Sequence, residues 1–246
     1  MSNGIKVKKR NGRGTEALNL EKMHKMVEEA TKGIAGVSAS QVEIQSGIQF
    51  YDGITTAEIQ EILIKSASDL IDLDHPNYQF VAARLLLFSI RKSLYGRSRE
   101  LPQLEDHIVK CVGQDVYDGD IYTKYSKEDI EKANGYIDHD RDFLFTYAGL
   151  RQVVDKYLVQ DRSTGQVYET PQFMYMMIAL TIFAEYPKET RLNYVRRYYN
   201  AISKHRINIP TPIMAGVRTP IRQFASCVLV DSDDTLDSIF SSDMAI

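Results

Sequence analysis

Between Ile209 and Pro220 the chain reads IPTPIMAGVRTP, with three prolines, two threonines and a glycine. Proline lacks an amide proton and clashes with the preceding helical turn, so this stretch predicts a loop. Cys227-Val228-Leu229-Val230, just beyond it, is apolar and β-branched and predicts a buried strand. The segment therefore divides a long upstream portion from the opening of a sheet. It also delivers Cys227 to the first position of that strand, where a cysteine is ordinarily a small buried hydrophobe.

Upstream, helix signals dominate. Ile5 to Arg10 alternates briefly and reaches Asn11-Gly12, a hairpin turn with a basic tip. Asn19 or its neighbour opens a helix carrying Met23, Met26, Val27 and Ala30, with Gly33 near its end. Ser38-x-x-Gln41 and Thr55-x-x-Glu58 are capping-box patterns for the next two helices. Asp74 to Asn77 breaks the third, and Tyr78 to Tyr95 forms a fourth around Val81, Leu85, Phe88 and Leu94. Farther on, Ser126-x-x-Asp129 caps a polar helix, and Asp138-His139-Asp140-Arg141-Asp142 leads into Phe143, Tyr147, Leu150, Val154 and Leu158 at helical spacing. Three consecutive acid and histidine side chains diverge around a helix, so this cluster is a helix entry complementing the dipole rather than a metal site. Tyr157 to Tyr168 predicts a hairpin around Thr164-Gly165. Pro171 starts an apolar helix through Phe173, Met176, Met177, Leu180 and Phe183 that stops at Pro187, and a last helix covers Glu189 to Ser203.

Composition narrows the class of function. A net charge of −3 offers no general field for nucleic acid, so phosphate binding must rest on local clusters. Two cysteines exclude a disulfide framework, and the five histidines lack metal-ligand spacing. No Walker, Rossmann or zinc signature is present. No apolar run is long enough to span a bilayer and the Lys/Arg-bearing N-terminus lacks the apolar stretch of a signal peptide, so a cytoplasmic protein with no membrane partner is expected.

The string PTPIMAGVRTP-x-RQF-x-SCVLV resembles the segment that opens the catalytic barrel of class I ribonucleotide reductase large subunits. The resemblance implies that Cys227 is one of two active-site thiols that reduce the ribose and close to a disulfide. Replacing a hydroxyl by hydrogen consumes two electrons, which a thiol pair supplies. It also implies ribonucleoside diphosphate contacts at Thr211 and Ser226.

A second resemblance covers the N-terminus. Val7-Lys8-Lys9-Arg10-Asn11-Gly12, Leu18 to Lys22, Ile48 to Thr56 and Ala82 through Gly96 are similar to the ATP-cone, a module that binds ATP or dATP as an allosteric effector. Matching positions imply triphosphate contacts at Lys9 and Lys92, further contacts from Glu16, Ala17, Leu18, Asn19, Leu20, Glu21 and Lys22, and a hydroxyl contact at Thr56. Taken singly, Lys9 and Arg10 read as a solvated hairpin tip, Thr56 as a helix cap, and Lys92 as decoration of an exposed helical face. Where inhibitor-responsive cones often carry histidines, this chain has Gln60 and Ser89, which favours ATP binding over inhibition by dATP.

Asp231 to Ile239 opens another helix, and the resemblance places a specificity effector at Asp234, Thr235 and Leu236, at a large-subunit dimer interface. The fold expected is mainly α: an ATP-cone with a β-hairpin and four helices at 1–96, a helical body at 97–208, and from 209 to 246 the first strand of an incomplete α/β ten-stranded barrel. The remaining catalytic cysteines of the family lie downstream of this match. The expectation is thus the N-terminal piece of a split large subunit, completed by a second polypeptide. Its further partners are a small subunit holding a metal-radical cofactor, and thioredoxin or glutaredoxin. The other reading is a noncatalytic nucleotide-binding regulatory module or a truncated remnant.

Overall fold

The computed structural model describes residues 4–9, 14–96 and 100–245. Strands β1 (Lys6–Lys8) and β2 (Thr15–Ala17) pair antiparallel, with Val7 opposite Glu16. The Asn11-Gly12 turn expected between them lies outside the described residues. The far edge of β1 is closed by a loop. The Gly53 amide donates to the Lys6 carbonyl at 2.8 Å and the Lys8 amide to the Ile54 carbonyl at 2.9 Å. Gly53 holds φ at +84°, a backbone that a side chain would strain.

Four helices follow: α1 (Leu20–Thr31), α2 (Ala39–Gly47), α3 (Thr56–Asp69) and α4 (Tyr78–Tyr95). Asn19 caps α1 by accepting the Lys22 amide at 2.9 Å. Thr55 and Glu58 form the reciprocal box expected at α3. Ser38 starts α2 but makes no side-chain cap. Tyr78 intervenes instead, accepting the Ser38 amide at 3.0 Å and donating its hydroxyl to Gln41. Helices α3 and α4 pack together and bury Leu63, Ile64, Ala67, Val81, Leu85 and Leu87. Each large aliphatic side chain so buried contributes about 1.5–3 kcal/mol.

The body comprises α5 (Leu104–Val112), α6 (Ile121–Lys124), α7 (Lys127–Asn134), a 3-10 turn at His139–Leu144, α8 (Tyr147–Lys156), α9 (Pro171–Ile182) and α10 (Lys188–Ser203). Every residue from Pro171 to Leu180 is buried, so α9 is the axis around which the body packs, with α10 and the 3-10 turn against it. The acidic cluster is a helix entry, since Asp138 accepts the Asp140 amide at 3.2 Å. The helix it enters is short, and Thr146 caps a fresh start at α8 through the Gly149 amide, 3.2 Å away. The Tyr157–Tyr168 hairpin is reduced to one antiparallel bridge, Gln160 with Val167.

Two expectations about the C-terminal portion require correction. Residues Thr211–Gly216 form a short helix, α11, because Pro212 falls in the first turn, where its missing amide proton costs nothing. No strand forms over Cys227–Val230: the backbone is irregular there, and Val228 and Leu229 are 81% and 98% exposed. A strand exists only when its polar backbone groups pair with a neighbour, and these residues have no neighbouring strand among the described residues. The last helix, α12 (Leu236–Ala245), turns Ile239, Phe240 and Met244 to the exterior. No helix among the described residues is long and apolar enough to cross a membrane.

Candidate functional site

The hairpin sets Lys9 beside Glu16, with Nζ 3.1 Å from the carboxylate. The Lys9 hydrogen bond, then the fields of Lys9, Lys22 and Lys92, hold the Glu16 carboxyl below its ordinary range. Lys9 on the hairpin thus touches the carboxylate, while Lys22 at the start of α1 and Lys92 near the end of α4 act on it through their fields. This is the donor chemistry that a polyphosphate requires. Leu18 is fixed by its amide bond to the Ile5 carbonyl at 3.0 Å, and Ala17 ends β2. Asn19 is engaged as a cap, Leu20 opens α1, and Glu21 pairs with Lys25 at 2.6 Å. Thr56 is the first residue of α3, and the capping role falls to Thr55. The parallel bridge of Lys8 with Thr55 brings this helix start against the hairpin.

Lys92 also lines a cavity of about 720 Å³, together with Gln60, Phe88 and Arg91 from the N-terminal unit and Asp140 and Phe143 from the body. Gln60 is buried and donates to the Leu85 carbonyl at 3.0 Å; Ser89 is buried as well. Both positions are neutral, so neither adds a proton-dependent charge here.

Arg91, on the cavity wall, belongs to a pair that sequence reasoning missed. Arg91 donates to Asp142 at 2.9 Å and to the His139 carbonyl at 2.8 Å, joining α4 to the 3-10 turn. Asp142 also accepts from Gln172 at 2.9 Å, and Gln172 accepts the Tyr199 hydroxyl at 2.6 Å. Burial raises the Asp142 carboxyl above its ordinary value, against the pull of Arg91. The two partners stand 51 residues apart, so no local spacing reveals them.

The second candidate region is the segment from α11 to α12. Thr211 is exposed on α11, its hydroxyl 3.4 Å from that of Tyr157. Ser226 and Cys227 are exposed neighbours, Cys227 is a free thiol, and no hydrogen bond among the described residues joins either to Thr211. Thr235 caps α12 by accepting the Ser238 amide at 3.2 Å, so Asp234, Thr235 and Leu236 surround a helix N-terminus. What fixes this segment to the body is Arg218, which motif reading named without a role. Its side chain and that of Glu169 are wholly buried and paired, with Arg218 Nε 2.9 Å from Glu169 Oε2. Glu169 also accepts the Val159 amide at 2.7 Å and the Tyr117 hydroxyl. Tyr117 in turn contacts His107 Nε2 at 3.0 Å, where burial pushes the imidazole down to about 3. Beside it Cys111 is buried, and burial pushes its thiol up to about 12, which leaves it inert. Arg222 forms a second anchor on Asp118 and Asp120. Among the described residues no cluster of three or more histidine, cysteine and acidic side chains is placed to hold a metal ion.

Comparison with known proteins matches both regions. The sequence model of the ATP cone domain matches residues 5–93, and that of the ribonucleotide reductase all-alpha domain matches residues 143–222. Over its whole 246 residues the chain is 50% identical to ribonucleoside-diphosphate reductase 1 subunit alpha of Escherichia coli, and it covers 32% of that protein. It is 46% identical over 213 residues to the subunit alpha of Enterobacteria phage T4, and 35% identical over 239 residues to that of Helicobacter pylori. These alignments take in 86% and 97% of the chain and 28% and 29% of the relatives. The chain thus spans about a third of the length of the curated relatives it matches.

Proposed function

A chain that carries an ATP cone and the all-alpha domain of ribonucleotide reductase belongs to the ribonucleotide reductase alpha-subunit family, and from this we propose that it forms the N-terminal part of a class I large subunit. The enzyme it serves reduces ribonucleoside diphosphates to deoxyribonucleoside diphosphates in the cytoplasm. The observation that carries the reading is whole-chain identity of 50% to such a subunit, across the cone and the Thr211–Cys227 segment alike.

Within that reading the parts divide the work as cone (1–96), helical body (97–208) and the opening of the barrel (209–246). Lys9, Lys22 and Lys92 hold the effector triphosphate, and Glu16 keeps the three ammonium groups together until it arrives. With Gln60 and Ser89 where inhibitor-responsive cones often carry histidines, ATP binding is favoured over inhibition by dATP. Thr211 and Ser226 bind the substrate diphosphate, and Cys227 gives one of the two reducing thiols. Its disulfide partner and the other catalytic groups belong to sequence matching the remaining two thirds of the relatives. That sequence would supply the strands that pair with Cys227–Val230, whose exposed apolar side chains suit a strand awaiting a neighbour. Asp234, Thr235 and Leu236 take the specificity effector where two large subunits meet. The small subunit brings the radical and its metal, and thioredoxin or glutaredoxin resets the disulfide.

The test is to tag the chain in its own host, recover the assembly, and measure reduction of cytidine diphosphate with and without Cys227→Ser. Activity that the substitution abolishes is expected. A folded chain recovered alone, binding ATP and reducing nothing, would replace this reading with a regulatory module.

A further inference from the structure

We propose that Arg218 is a positioning residue, which with Glu169 fixes where the Thr211–Cys227 segment stands on the body. The inference rests on the reductase reading above and adds residues to it. Arg218 lies seven residues beyond Thr211 and nine before Cys227, and its side chain is 0% exposed. Its guanidinium reaches three separate places: the Glu169 carboxylate, the Met214 carbonyl within α11, and the Tyr157 carbonyl at the end of α8, 2.8 Å away. Its own carbonyl accepts the Asp118 amide at 3.0 Å. Tyr157, gripped through its backbone by Arg218, meets the Thr211 hydroxyl with its side chain. Thr211 is therefore located by two contacts that both start from Arg218, one through α11 and one through Tyr157. The same residue, with Arg222 after it, sets the point from which the chain leaves toward Ser226 and Cys227.

The choice of arginine fits this role better than a stabilising one. A fully buried ion pair is a poor way to gain stability, because desolvation of both charges offsets their attraction. What the planar fork offers is fixed geometry toward several acceptors at once. Lysine keeps the charge and most of the stem but places its three donors on one nitrogen, whereas Glu169, Met214 and Tyr157 are met from three different nitrogens of the fork. Glu169→Gln keeps an oxygen to accept the Val159 amide while removing the charge that orients the fork.

The experiment compares Arg218→Lys with the native residue in the assembly recovered from the host, at a temperature well below unfolding. It reads three quantities: the melting temperature, the ATP affinity of the cone, and kcat and KM for cytidine diphosphate per folded molecule. A misplacement of about 1 Å at a reacting group costs on the order of 100-fold. Expected for Arg218→Lys is a folded assembly with unchanged ATP affinity and kcat/KM lower by about that factor. A folded variant with native kcat/KM overturns the proposal, as does a loss of activity that only follows the unfolded fraction. Should Arg218→Lys fail to fold, Glu169→Gln takes its place with the same outcomes. If the native assembly itself reduces no cytidine diphosphate, the reductase reading falls first and this inference falls with it.

Discussion

Replacing Asp142 by alanine should unlock the junction between the cone and the body. The Asp142 and Arg91 side chains are 0% and 5% exposed, and Arg91 Nε already has no partner. Removing the carboxylate leaves a guanidinium buried with only the His139 carbonyl, and takes from Gln172 its acceptor. Breaking one side of a buried pair costs about 3–5 kcal/mol. At about 2–4 °C per kcal/mol for a chain of this size, the melting temperature should fall by roughly 10 °C. Asp142→Asn keeps the shape and the Gln172 contact, so its drop should be about half as large. Arg91→Met combined with Asp142→Leu removes both charges and should recover most of the loss, since apolar pairs commonly replace buried ion pairs without penalty. Scanning calorimetry of the four proteins at neutral pH measures all three differences. Shifts below about 2 °C for both single variants, or a double variant less stable than Asp142→Ala, would refute the reasoning that this charge pair joins the two units.

Other outcomes follow from the cone. Lys9→Met and Lys92→Met should each weaken ATP binding by about tenfold or more in isothermal titration, the scale of one charge-assisted hydrogen bond; native affinity in both would remove the lysine cluster from the effector site. Thr55→Ala should cost about 1 kcal/mol by deleting one half of the α3 cap. Acid should act on the same cap. Glu58 is held below its ordinary value of 4.5, first by the Thr55 amide, so its contribution is complete above that pH and is lost as pH falls through the lower folded-state value. A melting temperature that declines below pH 4.5 in the native chain, and declines less in Glu58→Gln, is the expected result.

Much of the fold was legible because its signals are local. Asn19, Thr55 and Ser126 each announce a helix within three residues, and each caps its helix as read. Ser38 carries the same pattern and fails, since a tyrosine hydroxyl 40 residues away claims the groups a box would use. Pro212 misled for a different reason: proline breaks a helix interior but is at home in a first turn. At the site, the lysines could be named from motifs, yet the fields of Lys9, Lys22 and Lys92 meet at Glu16 only once the hairpin, α1 and α4 have folded together. Arg91, Asp142, Glu169 and Arg218 are ordinary charged residues in sequence. Only folding reveals that they are buried in two pairs separated by about fifty positions.

The enclosure of α9 bears on how such a chain can change over generations. A helix with one watery face absorbs substitutions there without notice. From Pro171 to Leu180 there is no such face, so a bulkier, smaller or charged replacement at any position meets packed neighbours. In a saturation scan this decapeptide should stand out as a continuous block of intolerance, without the three-to-four-residue rhythm that α10 should display. Drift through it then requires paired replacements, one in α9 and a compensating one in α10 or α11, which makes the axis of the body its slowest clock.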